Sequence, residues 1–298
     1  MTSVEGALGE TMQRRLANWN KLRLAPAFPD GEIDYHDLEM LDLEGAMLAE
    51  LHAEIADEAI AAPFDVKGFI LWFEDLRVSG PGQHDGLFPW LAHHASLDDI
   101  RWFFEQEAAG EAGFEDLVAL TQVKMPERAK LELARNYWDE MGRGNPKGMH
   151  GPMLTLLAKA LKVEPAITRT VSESLTLANA MIAMATRRDY AWHSLGALGV
   201  IELTAPDRAL LISKGLRRVG VSGKDRHYFD LHAVLYVKHS EEWNREVLTP
   251  LVSEQPERAR YIAEGALMRL SCGQRCFARY REHLWSREDA RRPIDQAA

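Results

Sequence analysis

The residues with most chemistry to offer lie between Tyr228 and Trp243, in YFDLHAVLYVKHSEEW. His232 and His239 are seven apart, with Tyr236 four after the first and three before the second. At about 100° per residue all three leave one face of a helix. Imidazoles stacked in this way can grip a metal ion. Iron suits a set of histidines and carboxylates, zinc accepts the same imidazoles, and magnesium does not favour them. On a mostly apolar helix such a pair is ordinarily two hydrogen-bonded core histidines, so the reading depends on what other helices bring.

Four more candidates stand on faces that packing would otherwise give to hydrocarbon. Glu107 falls inside the stripe Ile100, Phe103, Phe104 and Ala108 of a helix opened by Ser96, with Asp99 completing a box-like cap; Glu111, one turn on, is its reserve. Glu140 sits beside Leu133, Tyr137 and Met141 in MPERAKLELARNYWDEMG, which Pro126 starts and Gly142 and Gly144 end. Asp139 is read as pointing elsewhere. His150 shares a face with Met153, Leu154 and Leu157. Glu202 closes DYAWHSLGALGVIELTAP among Leu195, Leu198 and Val200, in a segment expected to end near Pro206, with Gly196 and Gly199 permitting close helix approach. A buried ionised carboxylate is costly unless it is paired or bound to a cation. Glutamates and histidines projecting inward from several helices are how helical bundles build dinuclear iron sites. Two Fe(II) ions carry four positive charges, and three glutamates offset most of them while leaving positions open for dioxygen. The loop GRGNPKG follows a helix rather than a strand and matches neither the dinucleotide fingerprint nor the P-loop spacing. His93 and His94 are adjacent and cannot both face one pocket from a helix.

The elements that must position these groups are helices throughout. Nearly every segment carries a 3.6-residue period, and Ala, Leu, Glu, Arg and Met dominate over Val and Ile. Expected helices cover about Ser3–Leu24, His36–Ala61 and Phe64–Val78, then those of Glu107, Glu140 and His150. An apolar central helix begins near Ile167, the Glu202 and His232 segments follow, and a long helix runs from Pro256 to Leu284. The expected fold is all-α and a single domain. Residues 1–62 form an N-terminal helical extension packed on the core, 63–286 the main helical domain and 287–298 a flexible tail. With 298 residues, 46% of them hydrophobic, the chain can bury a sizeable core. A net charge of −10 without a basic stripe argues against nucleic acid. Cys272 and Cys276 are the only cysteines; they form no disulfide framework and are read as packing residues in a reducing compartment. The first residues lack a signal-peptide pattern and no run is apolar enough to span a membrane, so a cytoplasmic protein is expected.

On RWFFEQE, DEMGRGNPKGMH, the Glu202 segment and YFDLHAVLYVKHSEEW, the chain resembles the haem-oxygenase-like diiron oxidases and oxygenases, or iron-containing redox enzymes, over roughly Phe64 to Leu248. The resemblance implies a haem-oxygenase-like bundle, shared with thiaminase (TenA)-like proteins, that binds two non-haem Fe(II) ions in place of porphyrin. It also implies dioxygen activation against small amino-acid-like or fatty-acid-like substrates. On this reading Glu107, Glu140 and His150 hold one iron, with Glu140 bridging, and Glu202, His232 and His239 hold the other. One departure concerns the second site, since the family usually carries Asp midway between the two histidines, where this chain has Tyr236. A phenol with an ordinary pKa near 10 is a poorer Fe(II) ligand than a carboxylate, which implies a weak, labile or empty second site. Tyr236 is alternatively a catalytic residue, donating an electron or proton during oxygen activation, or a space-filler. Asp230 lies about 160° round the helix and cannot replace the Asp, and Glu242 reaches only a shifted ion. Tyr190 and His193, beside Trp192, are expected to shape a substrate pocket. No reductase domain or cofactor-binding motif identifies an electron donor; an external donor and a homodimer are both allowed. The competing readings are a metal-free thiaminase-type hydrolase, which needs an activated cysteine, and a non-catalytic metal-binding bundle. Haem is disfavoured because inward glutamates would crowd a porphyrin.

Overall fold

Helix follows helix in the computed structural model, which describes residues 6–27, 35–110 and 113–291. The first half contains α1 (Glu10–Arg23), α2 (Tyr35–Ala59), α3 (Val66–Ser79), α4 (Leu87–His93), α5 (Leu97–Gly110), α6 (Phe114–Thr121) and α7 (Glu127–Glu140). The second half contains α8 (His150–Leu161), α9 (Ser172–Thr186), α10 (Ala191–Arg218), α11 (His227–Trp243), α12 (Thr249–Glu254) and α13 (Arg258–Arg291). Among the described residues there is no β-strand, only an isolated antiparallel bridge between Met141 and Met149. The expected tail falls partly on the end of α13, and residues 292–298 lie outside the described residues, as do the first residues of the expected Ser3–Leu24 helix and Glu111.

Local signals account for most boundaries. Ser96 and Asp99 cap α5 reciprocally: the Asp99 amide donates to Ser96 Oγ at 3.2 Å, and the Ser96 amide donates to Asp99 Oδ2 at 2.9 Å. Asp65 accepts from the Gly68 amide at the start of α3. The expected stop at Pro206 does not occur, because α10 runs on to Arg218. Pro206 has no N–H to offer the Glu202 carbonyl, which removes one helical bond. Beyond it Ala209, Ile212 and Leu216 continue the buried stripe, and their packing outweighs that loss. Gly215 lets α10 touch the backbone of α4 at Leu91, and Arg218 caps the end of α4 by donating to the Ala92 and Leu91 carbonyls at 3.0 and 3.2 Å.

The core lies around α9, α10 and α13. Most of α9 is buried, as an apolar circumference requires. A Cβ at Gly196 would collide with the Ile262 carbonyl, and one at Gly265 with the backbone of His193, so α10 and α13 cross backbone to backbone through two glycine notches. Leu16, Trp19, Met47 and Leu51 of α1 and α2 belong to the same apolar cluster as Met184, Leu195 and Leu267. Asn20 donates to Asn179 at 3.0 Å, tying α1 to α9.

Glu264 ties three helices together. Its carboxylate receives His193 Nε2 of α10 at 3.0 Å and Arg260 Nε at 2.9 Å, with His52 Nε2 of α2 at 3.2 Å. Burial alone would raise its pKa, but the hydrogen bonds from His193, Arg260 and His52 outweigh burial and hold it at about 2. A depressed carboxyl stabilises the fold above its unfolded pKa, and that contribution is lost as pH falls from about 4.5 towards 2. After discounting for solvent screening it is worth about 2 kcal/mol at neutral pH. Glu264→Gln is therefore expected to lower unfolding free energy by that amount at pH 7 and by much less near pH 3. Equal denaturant midpoints for variant and parent at pH 7 would refute this.

Candidate metal centre

The centre is assembled by a clasp between α7 and α8. Gly142, Arg143 and Gly144 all adopt positive φ, at 61°, 53° and 82°, which turns the chain back on itself. The Met141–Met149 bridge then closes the loop. Glu140 immediately precedes the bridge and His150 immediately follows it, so the carboxylate is pressed directly against His150 Nδ1. From α11, His232 adds its Nε2 at 3.2 Å from the same His150 nitrogen. His232 Nδ1–H donates to the Tyr228 carbonyl at 2.6 Å, which leaves the Nε2 lone pair facing the centre. Burial, with His150 nearby, pushes His232 down to about 3, so it is a neutral imidazole with a lone pair to give.

A second group adjoins the first. Glu202 of α10 places Oε2 3.4 Å from His239 Nδ1 of α11, while Asn136 of α7 donates to Glu202 Oε1 at 2.6 Å. His239 Nε2 lies 3.2 Å from Asp139 Oδ2, and Asp139 also receives Arg143 Nε at 2.6 Å. Burial alone would lower the pKa of His239, but Glu202 and Asp139 raise it to about 9. Asp139 thus does not point elsewhere. Asn136, Asp139 and Glu140 stand three and four apart on α7 and form one face, across which α11 passes.

The ligand atoms of Glu140, His150 and His232 lie within 4.8 Å of one another, as do those of Glu140, Glu202 and His239, and all five residues are buried. Glu140 is common to both groups. His232 therefore groups with His150, not with His239 as expected. The donor set fits iron: carboxylates and imidazoles converge at two adjoining points, and two imidazole nitrogens face each other as they would around a shared cation. Asp139 and the Tyr228 carbonyl hold the far nitrogens of the histidines, the usual support for metal-bound imidazole. Asp139→Asn is accordingly expected to weaken iron about 10- to 100-fold, read by titration against a competing chelator. Unchanged iron affinity would remove Asp139 from this role.

The remaining candidates go elsewhere. Glu107 is not gathered with either group; it faces a cavity of about 90 Å³ that His232 also lines. Burial raises its pKa, against the pull of Arg208, Arg269 and a hydrogen bond with Tyr280. An inward helical face did not determine which neighbour it would meet. Tyr190 and His193 do not line this cavity; their rings lie 4.6 Å apart, tilted by 38°, beside Glu264, because the Glu264 carboxylate captures His193. The Tyr236 side chain lies outside the described residues. Asp230 is engaged by Ser213 and Arg226, away from the centre. Cys272 and Cys276 are buried, and burial pushes the Cys272 thiol up to about 12 and raises Cys276 further, so neither is an activated nucleophile. Sequence reasoning missed Asp139 and Asn136, although their spacing from Glu140 was the available signal.

A family model described as iron-containing redox enzyme matches residues 101–274, more than half of the chain. The chain belongs to the iron-containing redox enzymes. No curated protein matches it. Two crystal structures of a CadD-like protein of unknown function from Nostoc punctiforme PCC 73102 are similar at 19% identity. They cover 81% and 82% of this chain and 98% and 97% of theirs, with TM-scores of 0.53 and 0.50. That likeness concerns the fold, the haem-oxygenase-like helical bundle. The stretch matched by the family model includes every residue of both Glu/His groups. Among its described residues no helix is long and apolar enough to cross a membrane.

Proposed function

We propose that the protein is a cytoplasmic non-haem diiron oxidase or oxygenase, acting with dioxygen on a small amino-acid-like or fatty-acid-like substrate. The observation that carries this reading is the shared position of Glu140 between two buried Glu/His groups. One ion would be held by Glu140, His150 and His232, the other by Glu140, Glu202 and His239. When bound, a ferrous pair supplies electrons for reducing dioxygen. The protein's own part is positional. Asn136 fixes Glu202, Asp139 fixes His239 and holds its Nε2 proton, and the Tyr228 carbonyl fixes His232. The cavity beside His232 is walled by Phe114, Leu117, Leu177 and Ile201, which keep bulk water from a substrate lying there. An external electron donor would restore the ferrous state between turnovers.

The decisive experiment is metal analysis of protein purified without air, followed by oxygen-uptake measurement and optical spectra. Two irons per chain and dioxygen consumption are expected; zinc in place of iron, or absence of metal, refutes the proposal. Tyr236, standing where the family usually has Asp, favours a second reading, a metal-binding bundle whose oxygen chemistry has lapsed. Iron loading without oxygen uptake, with and without a chemical reductant, would select it.

A further inference from the structure

The cavity beside His232 carries charge that the metal centre does not use. Arg208 of α10 and Arg269 of α13 both line it, among apolar walls that include Met181 and Phe277. A guanidinium in such a wall is costly unless its donors and charge are met. Arg208 Nη2 donates to Thr204 Oγ1 at 3.0 Å, and its guanidinium lies 5.4 Å from the Phe277 ring centre. Arg269 is different, because its Nε is buried and makes no hydrogen bond. Among the described residues the only carboxyl on the cavity wall is Glu107, which hydrogen-bonds Tyr280. Tyr280 is in turn 2.8 Å from Ser174 Oγ, so the phenol holds Glu107 from the side of α9. Two guanidiniums against one carboxyl leave at least one positive charge turned towards an apolar space. That is the complement of a monoanion with a hydrocarbon body, and the planar guanidinium fork matches a carboxylate.

We infer that this cavity binds a small aliphatic monocarboxylate, with its carboxylate on Arg269 and Arg208 and its body against Met181, directed towards His232. A volume of about 90 Å³ limits that body to a few carbons, since a dry cavity of roughly 150 Å³ is what admits benzene. The inference deepens the oxidase reading and rests on it for the fate of the acid, but the binding step does not require iron. An amine of the same length is excluded by charge. A neutral alcohol leaves the cavity charge unmet.

The test uses the full chain without metal, labelled with ¹³C at the methionine methyl groups. Met181 lies on the cavity wall and is its reporter, assigned through Met181→Leu. Butyrate should shift the Met181 methyl saturably, with butylamine and 1-butanol at least about tenfold weaker. Arg269→Met should weaken butyrate about tenfold or more, as loss of a charged hydrogen bond does, and Arg269→Lys should recover part of the loss. Equal responses to butyrate and butanol, no response to butyrate, or unchanged butyrate affinity in Arg269→Met would each overturn the inference. If Arg269→Met does not fold, Arg208→Lys and Arg269→Lys decide it, and unchanged affinity in both is the overturning result. Glu140→Ala separates the two proposals: it should keep butyrate binding while losing iron. Butyrate binding in a wild-type chain that takes up no iron would refute the oxidase reading alone.

Discussion

Glu140→Ala is expected to empty the whole metal centre, not half of it. Among the described residues Glu140 is the one side chain belonging to both Glu/His groups, and it is buried at the end of α7 where no solvent can substitute for it. Removing it leaves His150 and His232 without an anionic partner on one side, and Glu202 with His239 on the other. Loss of a direct ligand should exceed the roughly 10- to 100-fold cost of losing a supporting group. Anaerobic iron content should then fall to a small fraction of the parent's. His239→Ala gives the contrast, since it should deplete mainly the group containing Glu202. The metal-free fold should survive Glu140→Ala, because a buried carboxylate costs the apoprotein free energy; a melt in chelator checks this. Wild-type iron content in Glu140→Ala would end the assignment.

The second large effect is expected from Gly142→Ala, a residue that ligates nothing. Its φ of 61° lies in the left-handed region, and a Cβ there would run into the carbonyl group of Gly148 and the amide nitrogen of Met149. The left-handed conformation costs roughly 1–2 kcal/mol for a residue with a Cβ, and forced displacement in a packed turn adds about 1–3 kcal/mol. The clash falls on the Met141–Met149 bridge, the contact that holds Glu140 against His150. A lower melting temperature and reduced iron content should therefore appear together. Gly220→Ala is the control, since Gly220 also has positive φ, at 91°, but a Cβ there meets nothing within 4 Å. It should lose only the roughly 1–2 kcal/mol of the left-handed conformation and keep its iron. Normal iron loading in Gly142→Ala would show that the clasp does not position the site.

Much of this protein is legible without coordinates. The 3.6-residue period marks its helices, the Ser96–Asp99 cap and the glycines after α7 mark ends, and inward faces single out Glu140, His150, Glu202, His232 and His239, which the structure brings together. The same rule selected Glu107, which instead joined Arg208, Arg269 and Tyr280, while His193, expected at a substrate pocket, went to Glu264. It also dismissed Asp139, which reached His239, and it stopped α10 at a proline that packing carries through. The physical reason is one of range. Periodicity and capping depend on residues within a turn or two of each other, so the chain alone determines which side chains turn inward. Which inward faces meet depends on how helices cross, set here by glycine notches between α10 and α13 and by a left-handed clasp after α7. That crossing alone decides that Glu140 stands between two pairs of ligands while Glu107 faces two arginines across a cavity.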